Sequence, residues 1–193
     1  MATTDEIKAL RDQTGVSVMQ CKKALEEAKG DMEKAKIILR KISASLSSKK
    51  ADRALGAGVA AAYTHAGGAV VGAVVLSCET DFVSKNEEFS KLAYNIAMHV
   101  AAMNPLFRSR EDMRDVDTQA AREVFQAEVA NVPEKAREAA LTGKLDSYVK
   151  EKVLLEQPYV KDPTQTIRQL VDSAVQKFGE RVEVTRFERL SVK

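Results

Sequence analysis

Ala69-Val70-Val71-Gly72-Ala73-Val74-Val75-Leu76, closing in Ser77-Cys78-Glu79 and followed by Thr80-Asp81-Phe82-Val83, is the stretch on which the fold turns. A short apolar run bounded by polar residues reads as a buried strand. Ser84 with Glu87 three residues on then predicts a capping box, and Phe89, Leu92, Ala93, Ile96, Ala97 and Val100 recur at helical spacing. Strand, bare acidic-aromatic turn and helix follow in that order. On these residues alone Phe82 is either presented outward from a rigid base or tucked with Val83 beneath the turn as a staple.

Working backward, Val59, Ala61 and Tyr63 alternate and Ala66-Gly67-Gly68 supplies a turn, so the strand becomes the second arm of a hairpin. Working forward, residues 104–162 read as helical. A last helix starts at Thr166 with Gln169 completing its box and ends at Gly179. Arg181 to Phe187 alternates as a third strand whose phase falters at Phe187. The predicted class is α+β: a small antiparallel sheet of about three strands packed with helices. Val70, Val74 and Leu76 point to one side of the central strand, Val71, Ala73 and Val75 to the other. A strand apolar on both faces needs cover on both.

The front of the chain is a different unit. Thr3 with Glu6, Ser17 with Gln20, and Asp31 mark three helix starts, with Gly15 and Gly30 between them. Val18, Cys21, Leu25 and Ala28 form one stripe and Ala35, Ile38 and Ile42 another. The predicted division is a three-helix module over 1–45, a linker over 46–56 suggested by the serines and charges, and the α+β core over 57–193; the alanines and lysines of the same stretch equally allow a frayed helix running toward Gly56.

Composition excludes several classes. The chain has 193 residues, 45% of them hydrophobic, enough for a core of its own. Net charge is only +2, which argues against a general nucleic-acid binder. No apolar run approaches a membrane span and no signal-peptide region opens the chain, so a cytoplasmic protein is expected. The front module is mildly basic, which suits an acidic protein surface or a plain solvated face. Two cysteines and two histidines without metal-like spacing give no metal site, and no cofactor is expected. Cys21 reads as a buried free thiol. Gly67-Gly68 lacks the residues of a phosphate loop, and neither Cys78 nor His99 has nearby partners for catalysis, so no enzyme is expected.

Cys78-Glu79-Thr80-Asp81-Phe82-Val83 resembles the central signature of the bacterial elongation factor Ts family. Ile7-Lys8-Ala9-Leu10-Arg11-Asp12-Gln13-Thr14-Gly15 with Cys21-Lys22-Lys23-Ala24-Leu25 is similar to that family's opening signature. Ile96 to Ala102 and Leu155 to Val160 match two more, all in family order. Val16-Ser17-Val18-Met19-Gln20 departs from the usual Ala-Gly-Met-Met-Asp. The resemblance implies a ubiquitin-associated-like front module and guanine nucleotide exchange on the translational GTPase elongation factor Tu, bound in its GDP and nucleotide-free forms. It implies a partner-binding tip at Thr80, Asp81, Phe82 and Val83, with Phe82 wedged into the G domain and Asp81 acting near its Mg²⁺ site. His99 would contact the same domain, and Arg11, Val18, Met19 and Lys22 would dock the front module. A passive binding or scaffold module without exchange activity is the competing class. Longer members carry two core subdomains where this chain has one. With the two-faced strand, this predicts a homodimer, unless helices between Asp117 and Gln157 cover the second face.

Overall fold

The computed structural model describes residues 2–192. Three helices open it: α1 (Thr4–Thr14), α2 (Val18–Glu27) and α3 (Met32–Lys50). Thr3 and Glu6 form a reciprocal capping box on α1, and the Ser17 and Asp31 side chains cap α2 and α3. Leu10, Val16, Cys21, Ala24, Leu25, Ala35 and Leu39 make the buried center of this unit. The stripe expected on α2 holds at Cys21, Leu25 and Ala28 but not at Val18, which is exposed; Val16, in the turn before the helix, is buried in its place.

The linker expected from residue 46 is helical as far as Lys50. Serine hydroxyls that favour turns are here bonded back into the helix, Ser43 Oγ to the Leu39 carbonyl and Ser48 Oγ to that of Ala44. Ser43 is itself buried and also bonds the side chain of Gln176 in the last helix. α3 thus runs from the front module, through Ala35 and Leu39, into the core, where Leu46 packs.

The core sheet has the order β1-β2-β5, all antiparallel: β1 (Ala57–His65), β2 (Val70–Cys78) and β5 (Val182–Ser191). The short helical turn Asp81–Ser84 (α4) and the long α5 (Glu87–Met103) follow β2. Ser84 does not cap α5 as expected. It ends α4, and Asn86 caps α5 by accepting the Glu88 N–H at 2.9 Å. α5 lies across the inner face, where Phe89, Ala93, Ile96, Ala97 and Val100 meet Val74 and Leu76. Gly72 lets it approach: a Cβ there would sit 2.2 Å from the Ala97 carbonyl oxygen and 2.6 Å from the Ala101 nitrogen.

After α5 come α6 (Asp115–Glu128) and α7 (Glu134–Lys152), packed on each other, and a small unanticipated ribbon of β3 (Pro158–Tyr159) with β4 (Asp162–Thr166). The last helix, α8 (Ile167–Phe178), has the expected Thr166–Gln169 box, stops at left-handed Gly179, and packs on α3 and β5. The faltering phase of β5 is a bulge. Val75 pairs with Arg186 but Leu76 with Val184, so Thr185 is an extra residue, and Phe187 returns to the face of Val182 and Val184.

The outer face of the sheet is open. Ala60, Ala62, Ala73, Val75, Arg186 and Glu188 line a shallow, mostly apolar groove of about 350 Å³ there. α7 packs on α6 and on the 154–156 turn instead of spreading over this face, so the same-chain cover that the sequence allowed is not what the helices provide.

Candidate functional site

The end of β2 carries the site upward from the core. Cys78 is fully buried, its thiol donating to the Thr80 carbonyl at 3.2 Å. Burial pushes that thiol's pKa up, which keeps it protonated and unreactive. Thr80 leads into α4, and the four tip residues then part company. Phe82 is 83% exposed, whereas Val83, expected beside it at the tip, is only 4% exposed and packs in the core cluster. The outward and tucked alternatives are both realised, one by each residue: a single helical turn sends adjacent side chains about 100° apart. Val83 anchors the turn and Phe82 is presented.

Asp81 is exposed and paired with Lys85 at 2.6 Å across one turn, and the lysine holds its carboxyl below the usual range. Both partners are open to solvent, so the pair contributes little to stability and is free to exchange partners.

His99 is not on the surface. It is fully buried on the inner side of α5, where its Nδ1 accepts the Val160 N–H at 3.2 Å and its Nε2 lies 2.8 Å from Gln157 Oε1. The backbone donor assigns the tautomer: Nε2 carries the proton and donates to Gln157. Burial drives the imidazole pKa down, so the ring is neutral. The expected partner contact through His99 is therefore replaced by an internal bridge. Gln157 extends it, donating to the carbonyls of Glu151 at 2.6 Å and Met103 at 3.4 Å. Gln157 was not singled out from the sequence, where a glutamine before proline gives no sign of burial.

In the front module Arg11, Val18, Met19 and Lys22 are all exposed, Met19 by 69%. The α1–α2 turn that leads into them meets the base of the tip across one side chain. Lys177 of α8 lies beside Gly15 and pairs with Glu88, in the first turn of α5, at 2.7 Å. Two solvent-facing surfaces, an aromatic tip and a Met-Lys-Arg patch, are thus tied to one framework. Among the described residues no cluster of His, Cys, Asp or Glu is arranged to hold a metal, and no helix is long and apolar enough to cross a membrane.

Comparison with known proteins bears on the same residues. A family model described as Elongation factor TS matches residues 5–193. The elongation factor Ts of Thermotoga petrophila is 43% identical over 188 residues, covering 97% of this chain and 94% of its own length. That of Moorella thermoacetica is 41% identical over 194 residues, covering all of this chain and 96% of its own. That of Desulforamulus reducens is 43% identical over 185 residues, with 95% and 85% covered. Since the match runs unbroken through the front module, the tip and the sheet, this chain belongs to the elongation factor Ts family.

Proposed function

We propose that this protein is a guanine nucleotide exchange factor for elongation factor Tu in the cytoplasm, releasing GDP by pressing the Asp81–Phe82 tip into the GTPase. The observation that carries the reading is the outward Phe82 on a base fixed by buried Val83 and Cys78. A large aromatic left in water on a rigid turn has most of its burial energy unspent, roughly 1.5–3 kcal/mol, the size of an interface hot spot. That energy, gained only when the GTPase opens, holds it in a state of low GDP affinity. Asp81 would leave Lys85 and compete for groups around the partner's Mg²⁺. The metal belongs to the GTPase, and this chain supplies no cofactor.

The other residues take narrower roles. Val83 seats the tip, and Thr80 ties it to the core. His99 acts from inside, holding α5 to the 157–160 segment. Arg11, Val18, Met19 and Lys22 make a second docking surface on the same framework. Coupling is reciprocal: whatever factor the exchange factor takes from GDP affinity, GDP takes from its binding. The active form is a homodimer joined through the outer sheet face, since the open Ala60/Ala62/Ala73/Val75 groove is the apolar surface a symmetry mate would cover.

Stopped-flow release of fluorescent GDP from elongation factor Tu tests the reading. Acceleration by substoichiometric protein is expected. An unchanged release rate across a saturating titration would favour a passive scaffold.

A further inference from the structure

Glu180 follows Gly179, whose left-handed backbone (φ 73°) ends α8 and turns the chain back beside the end of β2. One oxygen of its carboxylate accepts the backbone N–H groups of Glu79 at 3.1 Å and Thr80 at 3.0 Å; the other accepts the Thr80 hydroxyl at 2.5 Å. Glu79 reciprocates. Its carboxylate accepts the Arg181 N–H at 2.5 Å, which holds its pKa down, and Arg53 reaches the same carboxylate at 3.3 Å. Cys78 and Val182 are the last paired residues of the β2–β5 ladder. Past them the two carboxylates supply the acceptors that another pair of strand residues would have supplied.

We infer that Glu180 is a positioning residue for the tip: by accepting two hydrogen bonds from Thr80 and one from Glu79, it sets the angle at which Asp81 and Phe82 are presented. This rests on the exchange-factor reading and deepens it. α4 is only four residues long, and a helix of that length does not hold itself. Thr80 is its N-cap residue yet makes no capping bond, because its hydroxyl is turned to Glu180. Of the other side-chain contacts of the tip, Lys85 with Asp81 and Ser84 Oγ with the Asp81 carbonyl lie within the turn, and the bond from the Cys78 thiol to the Thr80 carbonyl, which does reach the core, is of the weak thiol class. Val83 is the apolar anchor and Glu180 the polar one. Charge-assisted bonds to a carboxylate are the strong class, so the turn loses its direction when they are removed.

The test compares Glu180→Ala and Glu180→Gln in the full chain by amide hydrogen exchange, thermal melting and GDP release at saturating concentration, with Phe82→Ala alongside. Glu180→Ala is expected to speed exchange of the Glu79 and Thr80 amides and to slow maximal release, each by about tenfold, the loss of one charge-assisted bond. Glu180→Gln is expected to recover most of both. Its carbonyl oxygen still accepts the Thr80 N–H, and its amide donates to the Thr80 hydroxyl. A purely structural residue would lower the melting temperature and reduce release only in proportion to the unfolded fraction. Unchanged protection of the Thr80 amide in Glu180→Ala overturns the inference. So does full release by Glu180→Ala where Phe82→Ala is impaired, which leaves the tip reading intact. If the wild-type chain releases no GDP, the tip reading falls, and the Thr80 amide alone decides whether Glu180 holds the turn.

Discussion

Phe82→Ala separates a presented aromatic from a packed one. With 83% of its surface in water, Phe82 keeps only about one-sixth of its area against the protein. Full burial of such a side chain is worth roughly 1.5–3 kcal/mol, so truncation removes at most about 0.5 kcal/mol of folding free energy. In a complex that buries the whole ring the same truncation costs about 1.5–3 kcal/mol, roughly 10- to 150-fold in affinity or release. The two effects differ several-fold in size and appear in different assays. Urea unfolding should give the variant a midpoint close to that of the wild type. Titration into GDP-loaded elongation factor Tu should show at least a tenfold loss of release efficiency. A variant that melts well below the wild type yet releases GDP at the full rate would refute the reasoning, because Phe82 would then be part of the core.

Substitutions at three other positions probe the framework. His99→Ala leaves the Val160 N–H and the Gln157 side-chain Oε1 without partners in the core and should cost about 3 kcal/mol or more in denaturant unfolding. Because the folded His99 pKa lies below its unfolded value, its stabilisation is complete above about pH 6.5 and is lost as pH falls toward the folded value; a His99→Gln chain should lack that part of the pH slope. Gly72→Ala places a methyl 2.2 Å from the Ala97 carbonyl oxygen, so α5 must move off the sheet. A loss of about 1–3 kcal/mol is expected by urea unfolding, and an unaltered midpoint would show that the helix does not sit there. Val75→Lys puts a charge in the outer groove. Light scattering should find the variant at the 21.2 kDa of one chain and the wild type at twice that, with unchanged circular dichroism; a wild type already at one chain's mass refutes the dimer.

Much of this architecture was legible because it depends on local rules. The Thr166–Gln169 box, the left-handed Gly179 and the Val70–Cys78 strand follow from capping and periodicity, and all three stand as expected. What was missed depends on contacts distant in sequence. The stretch after residue 45 allowed a linker or a helix because nothing nearby shows that Leu46 packs against the core. Ser84 and Asn86 are equally good caps by residue type, and the choice between them came with the burial of Val83. His99 looked like a surface contact until the Gln157 and Val160 segment, some sixty residues on, closed over it. The Glu79–Glu180 exchange is invisible for the same reason: an acid after a helix-ending glycine is ordinary until a strand end lies beside it. For the tip, motif resemblance named Phe82 and Val83 together, and only packing told them apart.

The uninterrupted α3 has a consequence for how two contacts add. Nineteen residues of helix, about 28 Å at the ordinary rise, join the front module to the core where the sequence allowed either a linker or a helix. A tethered module searches for its second site, and its gain is limited by the effective concentration that the tether allows. A strut does not search. The spacing between the Met19 patch and Phe82 is already set before any partner arrives, so the entropy of bringing the two together is charged to folding and not to binding. The same stiffness makes the pair intolerant of register: one residue inserted into α3 would rotate the module by about 100°, carrying its patch to another side of the molecule while leaving every docking residue in place.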